Sequence, residues 1–306
     1  MIRGLNGGTD QFLADLERIQ RTTEQAQRQL SSGLRVQQPS DAPDEVSQIL
    51  QVRAALAQTV QRQQNLSQVK TEVDTSEQAL QAAVQVVERA SVLAAQGATS
   101  TADADARKNL AQEVQSLEQE LVGLSRTEVS GRFVFSGDLD RSPAYTWDGG
   151  QPNGVDRLQA APATRQIEDA SGTLFTVSHT AQEIFDHRNA DNTLAQDNVF
   201  AAVHSLTAAL NNNDQAAIRT CMDALDKAGA YLNQQLTFYG TVQDRVAAAT
   251  NQASQIQLQQ QSQLSALQDA DLTAAILELN QGNTQQQAAL TARAQMPRTS
   301  LFDFLQ

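Results

Sequence analysis

The residues whose types and spacing come nearest to chemistry lie between 131 and 150. In DLDRSPAYTWDG, Asp138, Asp140 and Ser142 stand at alternate positions, as at the start of a calcium loop. Such a loop needs glycine at its sixth position and a bidentate glutamate at its twelfth. Here these positions hold Pro143 and Gly149, so the match fails. GRFVFSG sets a basic residue among alternating aromatics, the pattern that stacks RNA bases on a sheet. Packing of Phe133 and Phe135, with Trp147, into the core of a small inserted domain is the better account, because the chain lacks the positive field that nucleic acid requires. His179, His187 and His204 show no metal-ligand spacing, and Cys221, the single cysteine, excludes an intrachain disulfide. Asp269 and Asp271 read as carboxylates on a helix surface. With no phosphate-binding loop, nucleophile elbow or HExxH motif, the chain is expected to be no enzyme and to use no cofactor and no metal.

Composition points the same way. The net charge is −13 and the isoelectric point about 4.6, which disfavours nucleic acid and anionic membranes as partners. Lysines are confined to Lys70, Lys108 and Lys227, and the arginines are scattered singly. Aromatic residues are only 4% of the chain, while Ala, Gln and Leu are abundant, a balance that favours long helices over a thick interior. No apolar run approaches the roughly 18 residues of a membrane span. The first twenty residues carry Asp10, Asp15 and Glu17 and no apolar core, so they are not read as a cleavable secretory signal. Taken alone, these features suggest a soluble, cytoplasmic protein.

Helical periodicity is the strongest structural signal. Phe12, Leu16, Ile19, Thr23, Ala26 and Leu30 advance by alternating steps of four and three, one face of a coiled-coil helix that Gly33 ends. A second helix is expected from Pro43 to about Gln96, with Asp41 as its N-cap and Asp44 and Glu45 at its positive end. At 1.5 Å per residue it would be roughly 80 Å long. Gly97 stops it, Ser100 or Thr101 is the expected next cap, and Leu110, Val114, Leu117, Leu121 and Leu124 define a third helix running back along it. Glycines, prolines and aromatics then cluster from Gly131 to Gly172, the mark of a small β-rich insertion in which GRFVFSG is a strand. Periodicity returns near Asn198, breaks at NNND, and resumes after Asn213 or Asp214 through the Gln-rich stretch 252–268. A last amphipathic stretch with Leu272, Ile276, Leu279 and Leu290 ends before Pro297, leaving Leu301, Phe302, Phe304 and Leu305 in a terminal peptide too short to bury them.

The two ends resemble the bacterial flagellins and their hook-associated relatives. LSSGLRVQQPSDAP is similar to the family's N-terminal motif, a Leu-Ser-Ser/Thr-Gly stretch with an arginine, followed by Ser-Asp-Asp/Ala-Pro. In this chain its frame is Gly33, Arg35, Ser40, Asp41 and Pro43. Leu34, and Gln37 with Gln38, depart from residues common there. DADLTAAILELNQGNTQQQAALTARAQMPRTSLFDFLQ is similar to the family's closing segment. SGRFVFSGDLDRSPAY looks more like the entry to the small β domain of a junction subunit, which joins hook to filament, than like the FNG entry usual in filament flagellin.

The expected fold is mainly α: long antiparallel helical rods, a coiled-coil bundle formed by the N- and C-terminal parts, with a small β-rich inserted domain. The expected division is 1–40 with 269–306 as a terminal inner-core coiled coil, 41–130 with 197–268 as a long helical rod, and 131–196 as the insertion. The resemblance implies a subunit of the extracellular flagellum, exported unfolded through the flagellar apparatus without a cleaved signal. Its implied partners are neighbouring axial proteins, other copies of itself in a helical or ring array, and a cytoplasmic export chaperone. Phe12, Leu16, Ile19 and Leu30 are expected to pair with Leu272, Ile276, Leu279 and Leu290, with the tail from Leu301 to Leu305 packed at the end. Filament flagellin and a generic coiled-coil scaffold are the competing readings.

Overall fold

The alternating spacing of Phe12 to Leu30 folds as α1 (Gly4–Ser32) in the computed structural model, which describes residues 4–100, 102–159, 164–168 and 172–295. Gly33 ends α1 in a left-handed conformation (φ +72°), its N–H donating to the Gln29 carbonyl at 2.8 Å. Pro43 opens α2 (Pro43–Gly97), where its missing N–H costs no helical bond, with Asp44 and Glu45 in the first turn. Next comes α3 (Ala104–Ser125). Its cap is Asp103, whose carboxylate accepts from Ala106 N at 2.7 Å, in place of the expected Ser100 or Thr101; Thr101 lies outside the described residues.

Among the described residues six short strands follow: β1 (Glu128–Val129), β2 (Arg132–Phe133), β3 (Tyr145–Trp147), β4 (Val155–Arg157), β5 (Gln166–Glu168) and β6 (Leu174–Thr176). They form three separate antiparallel pairs, β1 with β2, β3 with β4 and β5 with β6. Only Arg132 and Phe133 of GRFVFSG are strand. Ser130 and Gly131 both have positive φ and make the tight hairpin turn before them, and Gly137 turns the chain again after Phe135. The helical part resumes with α4 (Ala181–Ile184), α5 (Val199–Asn211), α6 (Gln215–Gln268) and α7 (Leu272–Gln295). Asn198 caps α5, and Asp214, rather than Asn213, receives the first amides of α6. The Gln-rich stretch is helical to Gln268. Among the described residues no helix is long and apolar enough to cross a membrane.

The chain divides into two compact units, one made of residues up to 60 and from 256 onward, the other of residues 61–255. In the second unit Leu80 and Leu93 of α2, Val114 and Leu121 of α3, Leu206 of α5 and Leu225 of α6 are buried together. Arg107 ties the helix ends there: its guanidinium donates to the carbonyls of Gly97 (2.8 Å) and Thr99 (3.0 Å) and to the Asn213 side chain. The insertion joins this core through aromatic rings. Phe135 meets Phe185 edge-on at 5.7 Å and Tyr239 of α6 at 6.4 Å, and Tyr145 lies 5.4 Å from Phe200.

Burial pushes the phenols of Tyr145 and Tyr239 well above their ordinary value of 10.0, with the Asp186 carboxylate adding to the effect at Tyr145. Both phenols are therefore neutral in the fold, and the unfolded chain releases their protons first. The stability they confer is complete below pH 10 and falls as pH rises above it. Alkaline titration is expected to produce phenolate absorbance and loss of helical circular dichroism in one step; phenolate forming while the helices persist would contradict this.

Candidate assembly interface

The interruption between α1 and α2 is a joint built largely from main chain. Leu34 bridges Asp269, the Gly33 carbonyl accepts from Ala270 N (2.9 Å), and the Gln268 carbonyl accepts from Arg35 N (2.7 Å) and Val36 N (3.3 Å). The break between α6 and α7 thus closes the break between α1 and α2. Arg35 reinforces it, donating to the Leu267 carbonyl at 2.7 Å and pairing with Glu45 in the first turn of α2. Gln268 returns a side-chain bond to the Val36 carbonyl at 3.3 Å.

Asp41 is not the cap of α2. Its carboxylate accepts from Gln38 N (2.8 Å) and Gln37 N (3.0 Å), and these amides hold its carboxyl below the usual value of 3.8. The first α2 amides instead turn back to the Ala42 carbonyl. A short acceptor eight residues past Gly33 fits a turn behind it as well as a helix ahead. A lowered carboxyl contributes its stability above the unfolded value and loses it as pH falls through the folded one. The turn is expected to loosen as pH falls below about 4, and Asp41→Asn is expected to abolish that acid dependence and to speed amide exchange at Gln37 and Gln38 at neutral pH. Unchanged exchange at both amides would show that the carboxylate does not hold the turn. Ser40 is exposed and Pro43 is the first residue of α2.

Sequence reasoning missed the C-terminal half of this joint. Asp269 and Asp271 do not lie on a helix surface: Asp269 accepts from the Ser265 hydroxyl, and Asp271 caps α7 by accepting from Thr273 N (2.9 Å) and Ala274 N (3.1 Å). The DAD triplet was the available signal, since a carboxylate before an apolar periodic run is a cap.

α1 packs against α7. On α1 the expected stripe faces inward, with Ala26 buried and Phe12, Leu16, Ile19, Thr23 and Leu30 half-buried. On α7 the seam is Ala275, Leu279, Gly282, Gln286 and Ala289, again in steps of four and three. Leu279 is where it was expected. Leu272, Ile276 and Leu290 are not: they are 47%, 50% and 52% exposed. The two helices approach closely at Gly282, where a Cβ would run into the Thr23 hydroxyl, and Ala275, Gly282 and Ala289 share the inward face with Leu279 and Gln286 while Leu272, Ile276 and Leu290 fall beside it. Near the other end the Arg293 guanidinium lies 5.6 Å over the Phe12 ring. Leu301, Phe302, Phe304 and Leu305 lie outside the described residues.

Of the expected insertion core, Phe135 is fully buried and Phe133 half-buried, but Trp147 is 37% exposed at the end of its short strand, its indole N–H reaching Glu118 at 3.4 Å. The inward residue of that strand is Tyr145. The three histidines sit in separate pairings, His179 with Gln235, His187 with Asp197 and His204 with Glu118. Among the described residues no cluster suits a metal ion.

Comparison with known proteins accords with this arrangement. The N-terminal helical region of bacterial flagellin matches residues 6–139, and its C-terminal helical region matches residues 222–305. The flagellar hook-associated protein 3 of Escherichia coli (strain K12) is 28% identical over 291 residues, covering 90% of each chain. The protein of the same name from Salmonella typhimurium is 26% identical over 282 residues, covering 86% of each. The crystal structure of flagellar hook associated protein-3 from Legionella pneumophila superposes with a TM-score of 0.61 at 13% identity, over 72% of this chain and 98% of that one. With both terminal regions matched in order around a joint closed by its two halves, the chain belongs to the bacterial flagellin family.

Proposed function

We propose that the protein is a structural subunit of the bacterial flagellum that joins the hook to the filament. The observation that carries this is the extent of the similarity to the two hook-associated relatives. At 90% of the chain it runs through the inserted hairpins and not only through the terminal helices that filament flagellin also has. The work of such a subunit is contact with neighbouring axial proteins, without catalysis. Subunits that join by unlike surfaces, in contacts that do not close on themselves, build helical arrays, and they need apolar surface left over after folding. Leu272, Ile276 and Leu290, together with Leu13 (50% exposed), supply it beside the α1–α7 seam. In this reading residues 1–40 and 269–306 form the inner core, 41–130 and 197–268 the rod, and 131–196 the outer insertion, with Gly33, Arg35, Ser40, Asp41 and Pro43 as the hinge. The tail from Leu301 to Leu305 serves assembly and an export chaperone, and the chain leaves the cell unfolded through the flagellar export apparatus.

Deleting the gene and viewing the cells by electron microscopy tests the role. Hooks without filaments, with flagellin shed into the medium, are expected; unchanged flagella would defeat the proposal. Purified protein that grows alone into long filaments would point instead to a filament flagellin. Removing residues 300–306 is expected to abolish motility, and wild-type swimming by that truncation would refute the part assigned to the tail.

A further inference from the structure

We propose that Asn153–Gly154 is a deamidation site that the fold holds shut, and that conversion of Asn153 to aspartate in an unfolded chain disfavours rebuilding of the insertion. Asn–Gly is the dipeptide most open to this reaction, because glycine has no side chain to keep its nitrogen from the preceding amide carbon. The chain contains it twice, at Asn6–Gly7 and Asn153–Gly154. At the second site packing makes the glycine obligatory. Gly154 has φ +73°, and a Cβ there would stand 2.8 Å from the His204 ring nitrogen and 3.0 Å from its Cγ. A reactive pair is thus imposed by the close approach of the β3–β4 turn to α5.

The fold restrains both reacting groups. Gly154 N–H donates to the Gln151 carbonyl at 3.0 Å, and the Gly154 carbonyl accepts from Asp148 N at 3.0 Å. Asn153 is 4% exposed, and its amide donates to Asp186 at 2.9 Å. In the reaction the Gly154 nitrogen bonds to Cγ of Asn153, the C–Nδ2 bond breaks, and ammonia leaves, carrying the proton lost by the peptide nitrogen. Water then adds to the succinimide and opens it to aspartate or isoaspartate. No oxidant or reductant is involved. The product places a carboxylate where an amide had donated to Asp186, a carboxylate that is itself fully buried. Two facing carboxylates in that position repel, whereas the original pair attracted.

The test compares the full chain, folded and unfolded in guanidinium chloride, incubated in one mildly alkaline buffer and analysed by peptide mass mapping for the gain of about one mass unit at residue 153, with Asn6 as the internal clock in the unfolded sample. Conversion of Asn153 is expected to be at least about tenfold slower in the folded chain, since it must await local opening. Equal rates in the two states would overturn the protection. Asn153→Asp and Asn153→Ala both delete the amide donor, but only the first adds a charge. The aspartate variant is expected to lie at least about tenfold further toward the unfolded state at neutral pH. An aspartate variant as stable as the alanine one would overturn the second half of the proposal.

Discussion

Asp186→Ala will destabilise the second unit by about 3–5 kcal/mol, because it removes the one group that four donors share in the interior. Asp186 is fully buried. One of its oxygens accepts from Asn153 and Asn198 at 2.9 Å each, and the other accepts from the Tyr145 hydroxyl at 3.0 Å and from Arg188 Nε at 2.8 Å. Those donors come from β3, the turn before β4, the loop after α4 and the cap of α5, so a single carboxylate holds together segments that the short strands alone do not. Truncation to alanine leaves the Asn153 amide and the Tyr145 phenol without an acceptor, each a desolvation cost of about 1–3 kcal/mol that relaxation only partly relieves, and leaves the Asn198 amide with the His187 carbonyl alone. Chemical denaturation followed by circular dichroism and by Trp147 fluorescence is the measurement, and a loss below about 1 kcal/mol would show that water replaces the carboxylate without penalty.

Gly282→Leu will force α1 and α7 apart. The first side-chain carbon already meets the Thr23 hydroxyl, with the Thr23 Cβ 3.4 Å away, and the three further carbons of a leucine must find room in the same close approach. Overpacking of this kind costs about 1–3 kcal/mol, here borne by a two-helix contact with few buried residues to spare. Amide exchange is expected to accelerate through both helices while the second unit is unaffected, and cells carrying the variant are expected to lose motility. A Thr23→Ala partner change that clears the hydroxyl should recover part of the loss if the contact is the cause. Unaltered exchange in α1 and α7 would show that the seam has room to spare.

Which parts of this architecture were legible beforehand follows from where the signal resides. The steps of four and three between Phe12 and Leu30, and again from Ile218 to Tyr239, place α1 and α6 because burial and helical period coincide there. Gly33 marks the stop of α1 and Pro43 the start of α2 by backbone geometry alone. Hydrophobicity found Leu279 but misled over the rest of α7, since it singles out Leu272, Ile276 and Leu290 while Ala275, Gly282 and Ala289 face inward, with the backbones closest at Gly282. It misled again at Trp147, where a large ring at the end of a three-residue strand has no second layer to cover it. GRFVFSG alternates like a strand, but its flanking glycines turn the chain at both ends and leave room for only two paired residues. The Asp186 cluster is invisible in the sequence, since its members are far apart along the chain and each polar type is ordinarily a surface residue.

The joint at Gly33 has a consequence for how freely this protein can diverge. Peptide groups supply most of its bonds: Leu34 contributes its backbone to the bridge with Asp269, and Gln37 and Gln38 contribute their amides to Asp41. A coupling made of main chain is indifferent to side chains that only decorate it, so Leu34 and Gln38 are open to substitution, whereas the Gln37 side chain donates to the Arg28 carbonyl at 3.1 Å and is tied in. The constraint falls instead on the few residues that shape or lock the path, a left-handed glycine, the arginine that reaches the Leu267 carbonyl, an acceptor at the turn and a proline at the helix start. Drift can therefore rewrite exposed side chains around the joint while its path stays fixed, so the surface of the joint can change without altering how it bends.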